Sequence, residues 1–397
     1  MNNFGSGLVK KRKAVRAIFV SSYIPRKCGI ATYTKDLTNA INMLNPYALC
    51  EITAMHRDKE TLSYPWEVKF RVEEQNLDSY IHAADYVNNS SAEIVIIEHE
   101  FGLFGGHCGE YILHFAERVQ RPIVVTCHTI REEVDDDYGM VFQRIARRAN
   151  ALVVMMDDSA EKLVKRYGIP EDKIVVIPHG TSDLPYASTE SFKKIKRIGT
   201  KRLVMGNINL LSSNKGVEYA IEAMAEIVKE IPDALYVIVG QTHPGVVEFE
   251  GEKYRNMLRK KVKDLKLEKN VRFVNEYLSL KDLLGWLKTM DIYVTPYLDP
   301  QQSSSGALAY AVGAGKLCIS TPYLYAREVL KDDRGVLVPF KNGKAIAEAV
   351  VRLWKDTEAR EAMQKRTYDF GRLMTWSSVA LQHLDMFEAV IKNYKTT

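Results

Sequence analysis

Three regions of the sequence carry residues whose types and spacing could do chemistry. The first is SSYIPRKCGIATYTKDL, which reads as a strand end, a glycine-bearing loop with Gly29, and a helix opening near Thr32. A glycine there admits a ligand close to the backbone, and the amides and dipole of a helix N-terminus favour an anion. A plain structural turn would give the same pattern. The second region is the pair of segments EHEFGLFGGHCG and TCHT, which place His99, Glu100 and His128 beyond the carboxyl ends of apolar runs. Polar residues at that address suit a binding site, and a histidine there can hydrogen-bond a sugar hydroxyl or move a proton. His99 and Glu100 could equally orient their loop, and His128 could be a satisfied core histidine.

The third region supplies donors for an anion. In NINLLSSNKGVEYAIEAM, Lys215 and Gly216 open a helix, so a full charge adds to the helix dipole in a position suited to a diphosphate. An exposed lysine is the alternative. In TPYLDPQQSSSGALAYAVGAGK, the small residues Ser303, Ser304, Ser305 and Gly306 precede a small-residue helix, where backbone amides can face an anion. The run Asp135, Asp136, Asp137 raises a metal site, but spacing supplies no second ligand cluster, and no metal is expected.

Such residues need a scaffold that brings strand ends together. Short apolar runs, each followed by turn signals and helical periodicity, recur down the chain: Ala17–Ser21, Glu51–Met55, Ile94–Glu98, Ile123–Cys127, Ala151–Met155 and Ile174–Ile177 in one half. Arg202–Met205, Leu235–Val239, Val271–Val274, Ile292–Val294, Leu317–Ser320 and Gly335–Val338 follow in the other. This βα alternation predicts an α/β protein of doubly wound parallel sheets, with ligands at the carboxyl ends of the strands. Asp183–Thr200 loses apolar periodicity and gains Pro, Ser, Thr and Lys, the composition of a linker. The expected divisions are a first domain over 1–185, a second over 186–374, and an amphipathic helix over 375–397.

The chain has 397 residues, 46% hydrophobic and 26% charged, which is globular composition long enough for two cores. Five scattered cysteines without a CxxC pair argue against a disulfide framework and a structural zinc site. No apolar run reaches bilayer length and the opening lacks a signal-peptide stretch, so a cytoplasmic protein is expected. The net charge is +5, part of it in Lys10, Lys11, Arg12, Lys13 and Arg16. That segment reads either as a solvated tail or as a contact for the anionic inner face of a membrane or an anionic acceptor. No aromatic-basic platform accompanies it, so nucleic acid is not an expected partner.

Several of these stretches resemble the retaining GT-B glycosyltransferases of the large group containing sucrose synthase and bacterial mannosyl- and glucosyltransferases. The resemblance rests on the glycine loop, the CHT histidine, VIPHG at Val176–Gly180, LLSSNKG, VIVG at Val237–Gly240, and YAVGAGK followed by GVLVPF. It implies two Rossmann-like domains facing a central cleft, the first for the acceptor with His99 and Glu100 on that side, the second for the nucleotide sugar. It also implies a terminal helix returning to the first domain, and catalysis without cofactor or metal. Lys215 would hold the donor phosphates, with Gly29, Gly216, Ser304, Ser305 and Gly306 lining the donor, and His128 and Gln302 would orient the transferred sugar.

The sequence departs from the family pattern at three positions. Gln302 and Tyr310 stand where the donor motif usually has two glutamates, and Leu210 where a phosphate-binding arginine stands. A glutamine and a tyrosine hydroxyl still hydrogen-bond but supply no carboxylate. The resemblance implies transfer of a hexose, mannose or glucose, from a GDP- or UDP-sugar to a carbohydrate or glycolipid acceptor with retention. The rivals are a catalytically silent nucleotide-sugar binder, or an epimerase or phosphorylase on the same fold.

Overall fold

A computed structural model describes residues 14–58 and 60–396; Lys10, Lys11, Arg12 and Lys13 of the basic segment lie outside them. The chain forms two compact units. The first runs to Val154 and takes in Ala160–Ile177 and Val379–Thr397; the second comprises Met155–Ser159 and Pro178–Ser378.

The first unit is built on seven parallel strands, β1 (Ala17–Ser21), β2 (Glu51–His56), β3 (Val68–Glu73), β4 (Ile94–His99), β5 (Ile123–Cys127), β6 (Ala151–Val154) and β7 (Ile174–Val176), in the order β3-β2-β1-β4-β5-β6-β7. The second is built on six, β8 (Val204–Ile208), β9 (Leu235–Val239), β10 (Val271–Val274), β11 (Ile292–Thr295), β12 (Leu317–Ser320) and β13 (Gly335–Leu337), in the order β10-β9-β8-β11-β12-β13. Both are α/β sheets of the doubly wound kind. The strand order reverses between β1 and β4 in one unit and between β8 and β11 in the other, and a crevice for ligands opens beyond the carboxyl ends at such a point.

Burial explains why the central strands read so clearly. Every residue of β1, β4, β5, β9 and β12 is buried, because helices cover both faces of a parallel sheet. Two elements were hidden by the same physics. β3, VKFRVE, is an edge strand with most side chains partly exposed, so it alternates with charges and shows no apolar run. β8 runs two to three residues further along the chain than the apolar run at Arg202–Met205 suggests, taking in Gly206 and Asn207. Asn207 is fully buried and its Oδ1 accepts from the Tyr236 hydroxyl at 2.7 Å, and a side chain at Gly206 would strike Met290.

The segment expected to be a linker is also structured. Glu190–Ile195 is helical and drives Lys193 into the core, 2% exposed, where its Nζ donates to both carboxylate oxygens of Asp291 at 2.9 and 2.7 Å and to the Thr200 and Arg202 carbonyls. Asp291 further accepts from the Thr189 hydroxyl and the Val204 amide, each at 2.8 Å. A lysine-rich stretch lacks helical apolar periodicity, so this anchoring by charge was invisible to the pattern. Removing one partner of such a buried pair leaves an uncompensated charge. Asp291→Ala should therefore lower unfolding free energy by about 3–5 kcal/mol in urea denaturation, whereas Glu190→Ala, on the exposed side of the same helix, should change it little.

Candidate functional site

In the first unit, the reversal point lies beyond Ser21 and His99. The helix Gly29–Leu44 begins three residues earlier than Thr32, because Cys28 caps it: its Sγ accepts the Ala31 amide at 3.3 Å and contacts the Ser22 hydroxyl at 3.1 Å. Gly29 is thus the first helical residue. A side chain there would meet nothing within 4 Å, so its glycine is required by neither packing nor backbone conformation, and open space lies beside the helix start.

His128 follows β5 and is 4% exposed. Its Nε2 lies 2.8 Å from Oε2 of the fully buried Glu98, and its ring meets the edge of Tyr33 from the capped helix. His128 is therefore both a satisfied histidine and one whose ring orientation is fixed by a carboxylate, as a positioned sugar contact or proton carrier needs. Glu100 accepts from the Thr129 hydroxyl at 2.8 Å and the Phe101 amide at 3.0 Å; burial raises its pKa, opposed first by His128. His99 sits deeper, 3% exposed among Phe101, Phe104 and Phe142, and burial followed by the neighbouring His128 pushes its pKa down to about 3. It is neutral at physiological pH and supports the loop from behind, while Glu100 stands nearer the loop surface.

In the second unit, the reversal point gathers the loops after β8 and β11. Lys215 closes a short turn, Ser213–Lys215, rather than opening the helix itself; Gly216 follows at φ 60, and Val217–Glu230 is the helix. That glycine is obligatory, since a Cβ would lie 2.1 Å from the Pro296 carbonyl oxygen in a left-handed backbone. The tight turn sets the Lys215 Nζ over the Tyr297 ring, 4.1 Å from its centroid, and Tyr297 stacks on Tyr323. Burial pushes the Lys215 ammonium down to about 8, with Asp299 opposing. Holding the charged form there costs free energy.

After β11, Ser305 caps the helix Gly306–Gly313 by accepting the Leu308 amide at 3.2 Å; the first amides of a helix have no carbonyl of their own helix to meet. Gln302 lies half-buried in the same loop, its Nε2 donating to the Ser304 carbonyl at 2.9 Å. A side chain at Gly306 would come within 3.1 Å of His179 Nε2, so His179, unassigned from sequence although part of VIPHG, stands at the helix start. Its Nδ1 lies 2.7 Å from the Gly180 carbonyl oxygen. Tyr310 is 6% exposed, and its hydroxyl receives the Trp376 indole N–H at 3.4 Å. The structure thus brings Lys215, Gln302, Ser304, Ser305 and Gly306 to one reversal point and sets Tyr310 behind them. His99, Glu100, His128 and Gly29 belong to the other unit. Glu98 is not marked by the pattern because a carboxylate inside an apolar strand reads as part of the core, nor is Tyr297, because an aromatic just past the end of β11 reads the same way.

A model of glycosyl transferases group 1 matches residues 188–370, and one of glycosyltransferase family 4 matches 56–183, together most of the chain. The chain belongs to the group 1 glycosyl transferases. Among curated relatives of this glycosyl transferase, D-inositol 3-phosphate glycosyltransferase of Corynebacterium glutamicum is 23% identical over 294 residues, 68% of either chain. Phosphatidyl-myo-inositol mannosyltransferase of Mycobacterium leprae is 24% identical, over 68% of this chain and 67% of that one. Among solved structures, a glycosyltransferase from Rickettsia africae matches with TM-score 0.75 at 15% identity, covering 96% of this chain and 99% of the other. Anabaena HepE, in complex with UDP and glucose, matches with TM-score 0.73 at 14% identity, covering 94% and 100%. These similarities establish the GT-B fold.

The depressed Lys215 pKa gives this glycosyl transferase a stability signature. A lysine whose folded pKa lies below its ordinary 10.5 carries a penalty in full below pH 8, relieved as pH rises from about 8 toward 10.5. Lys215→Met should raise the thermal midpoint at pH 7, and the gain should shrink across that window. Gly216→Ala should lower the midpoint at every pH, because it strains the turn whatever the charge.

Proposed function

We propose that this glycosyltransferase moves a hexose, mannose or glucose, from a UDP- or GDP-sugar to a carbohydrate or glycolipid acceptor with retention of anomeric configuration, needing neither metal nor cofactor. The observation that carries the reading is Lys215: a partly desolvated ammonium on an aromatic face, beside the capped helix Gly306–Gly313. An ammonium and helix-start amides fixed before reaction stabilise charge growing on a leaving diphosphate without reorganisation. In this account Ser304, Ser305 and Gly306 meet the phosphates or sugar hydroxyls, Gln302 and His128 orient the transferred sugar, and Glu100 serves the acceptor. Gly29 leaves room for the donor to approach the first helix, and Tyr310 lies toward the ribose. Relatives named for inositol phosphate and phosphatidylinositol acceptors support a phosphorylated or lipid-linked acceptor.

The reaction takes place in the cytoplasm in this reading, and the segment Lys10–Arg16 meets anionic headgroups when the acceptor is a glycolipid. No helix among the described residues is long and apolar enough to cross a membrane. The second reading, a binder without turnover, is favoured by Leu210, by Gln302 in place of a glutamate, and by the engagement of Tyr310 with Trp376.

The test is a panel of UDP- and GDP-sugars with chelator present, following nucleoside diphosphate release with and without acceptors. One donor should respond to acceptor, and Lys215→Ala should cut kcat about 100- to 1,000-fold. Binding without release from any donor would establish the second reading; undiminished turnover in Lys215→Ala would overturn the assignment of Lys215. Because the anion stabilises the protonated amine, UDP or GDP affinity should fall as pH rises above about 8. The same titration should be flat across that range in Lys215→Ala.

A further inference from the structure

Among the described residues, one group of metal-ligating side chains lies outside everything assigned above. A ring nitrogen of His107, Cys108 Sγ and a carboxylate oxygen of Asp137 all fall within 4.8 Å of one another. They come from two segments, the loop after β4 and the first turn of the helix Asp137–Arg148. Spacing could not find them, since 28 residues lie between Cys108 and Asp137 and nothing in the sequence says that these segments meet.

The backbone is bent to make the group. Gly106, Cys108 and Gly109 have φ of 80, 54 and 84°, so a non-glycine residue is held in the left-handed region between two glycines. That conformation costs a residue with a side chain free energy and persists where the surroundings enforce it, characteristically at functional positions. Here it carries the thiol of Cys108 to the imidazole of the preceding residue. His107 Nε2 and Asp137 Oδ2 lie 2.6 Å apart. The neighbouring charges favour a cation: Arg131 is matched by Asp136, which also caps the helix through the Gly139 amide, while Glu110 accepts from the His107 amide.

A thiolate, an imidazole and a carboxylate together are the donor set of zinc and similar late transition metals, not of magnesium or calcium, which take oxygen alone. With metal–ligand bonds of about 2.0–2.3 Å, a tetrahedron places its donors about 3.3–3.6 Å apart. The widest separation, 4.8 Å, must close by about an ångström and the 2.6 Å His107–Asp137 pair must open by somewhat less, the metal taking the place of the hydrogen bond between them; His107 and Asp137 are exposed and free of packing that would oppose such χ adjustments. We propose that His107, Cys108 and Asp137 form a zinc-class metal site with an open fourth position taken by water, clamping the 100–110 loop to the helix Asp137–Arg148. The proposal stands apart from the donor reading, since none of the three belongs to the transfer machinery and the site is occupied or not whatever the substrate.

The test is titration of the metal-stripped full chain with Co2+ alone, reading sulfur-to-cobalt charge-transfer absorption in the near ultraviolet. A single equivalent should produce the band, and Zn2+ should displace it. Cys108→Ser should abolish the band and His107→Ala should weaken Co2+ binding roughly tenfold or more, whereas Cys28→Ser should leave both unchanged. Surface positions such as these leave the fold intact, which equal circular dichroism and thermal midpoints of the metal-free proteins would verify. No thiolate band at stoichiometric Co2+, or a band that survives Cys108→Ser, overturns the proposal.

Discussion

A parallel sheet cannot be closed by hairpins: each strand must be reached by a crossover that carries the chain back along a face, so all carboxyl ends in a sheet emerge on one edge. In each unit this constraint decides where chemistry can happen. β1, β4 and β5 deliver Ser22, Glu98, His99 and His128 to one edge, and β8 and β11 deliver Lys215 and Tyr297 to another. Residues far apart in the chain become neighbours because the crossovers have a fixed hand, and not through any local signal.

Within the second unit, the order of causes can be followed residue by residue. The Pro296 carbonyl leaves no room for a Cβ at Gly216, Gly216 turns the chain, and the turn lays the Lys215 ammonium on Tyr297. Burial then makes that ammonium costly, with its pKa near 8. A group that destabilises the protein by itself while suiting an anionic ligand is the expected signature of a site kept for function. In the first unit Glu98 fixes the ring of His128 by a comparable logic, with a buried carboxylate setting the direction of an imidazole.

Much of this could be read in the sequence, and the reasons for the remainder are physical. Central strands such as IVIIE and LYVIV announce themselves because both faces are buried; β3 does not, because an edge strand keeps one side wet. Lys215, Ser305 and Gly306 were legible because glycine, serine and lysine at a helix start have few other reasons to occur together. Tyr297, Glu98 and His179 were not, since their roles depend on which loops the topology makes adjacent. The start of the helix at Gly29 was missed because cysteine is an unusual cap.

The pairing of Lys193 with Asp291 bears on where the chain can be cut. Glu190–Ile195 precedes β8 in sequence, yet its lysine neutralises a carboxylate at the start of β11 and holds two carbonyls ahead of β8. A fragment begun at Thr200, on the grounds that what comes before is only a tether, would discard the counter-ion of its own sheet. The second half of this protein carries its keystone upstream of its first strand, and any dissection, fusion or domain exchange between relatives would have to keep Thr189 and Lys193 with the strands they serve.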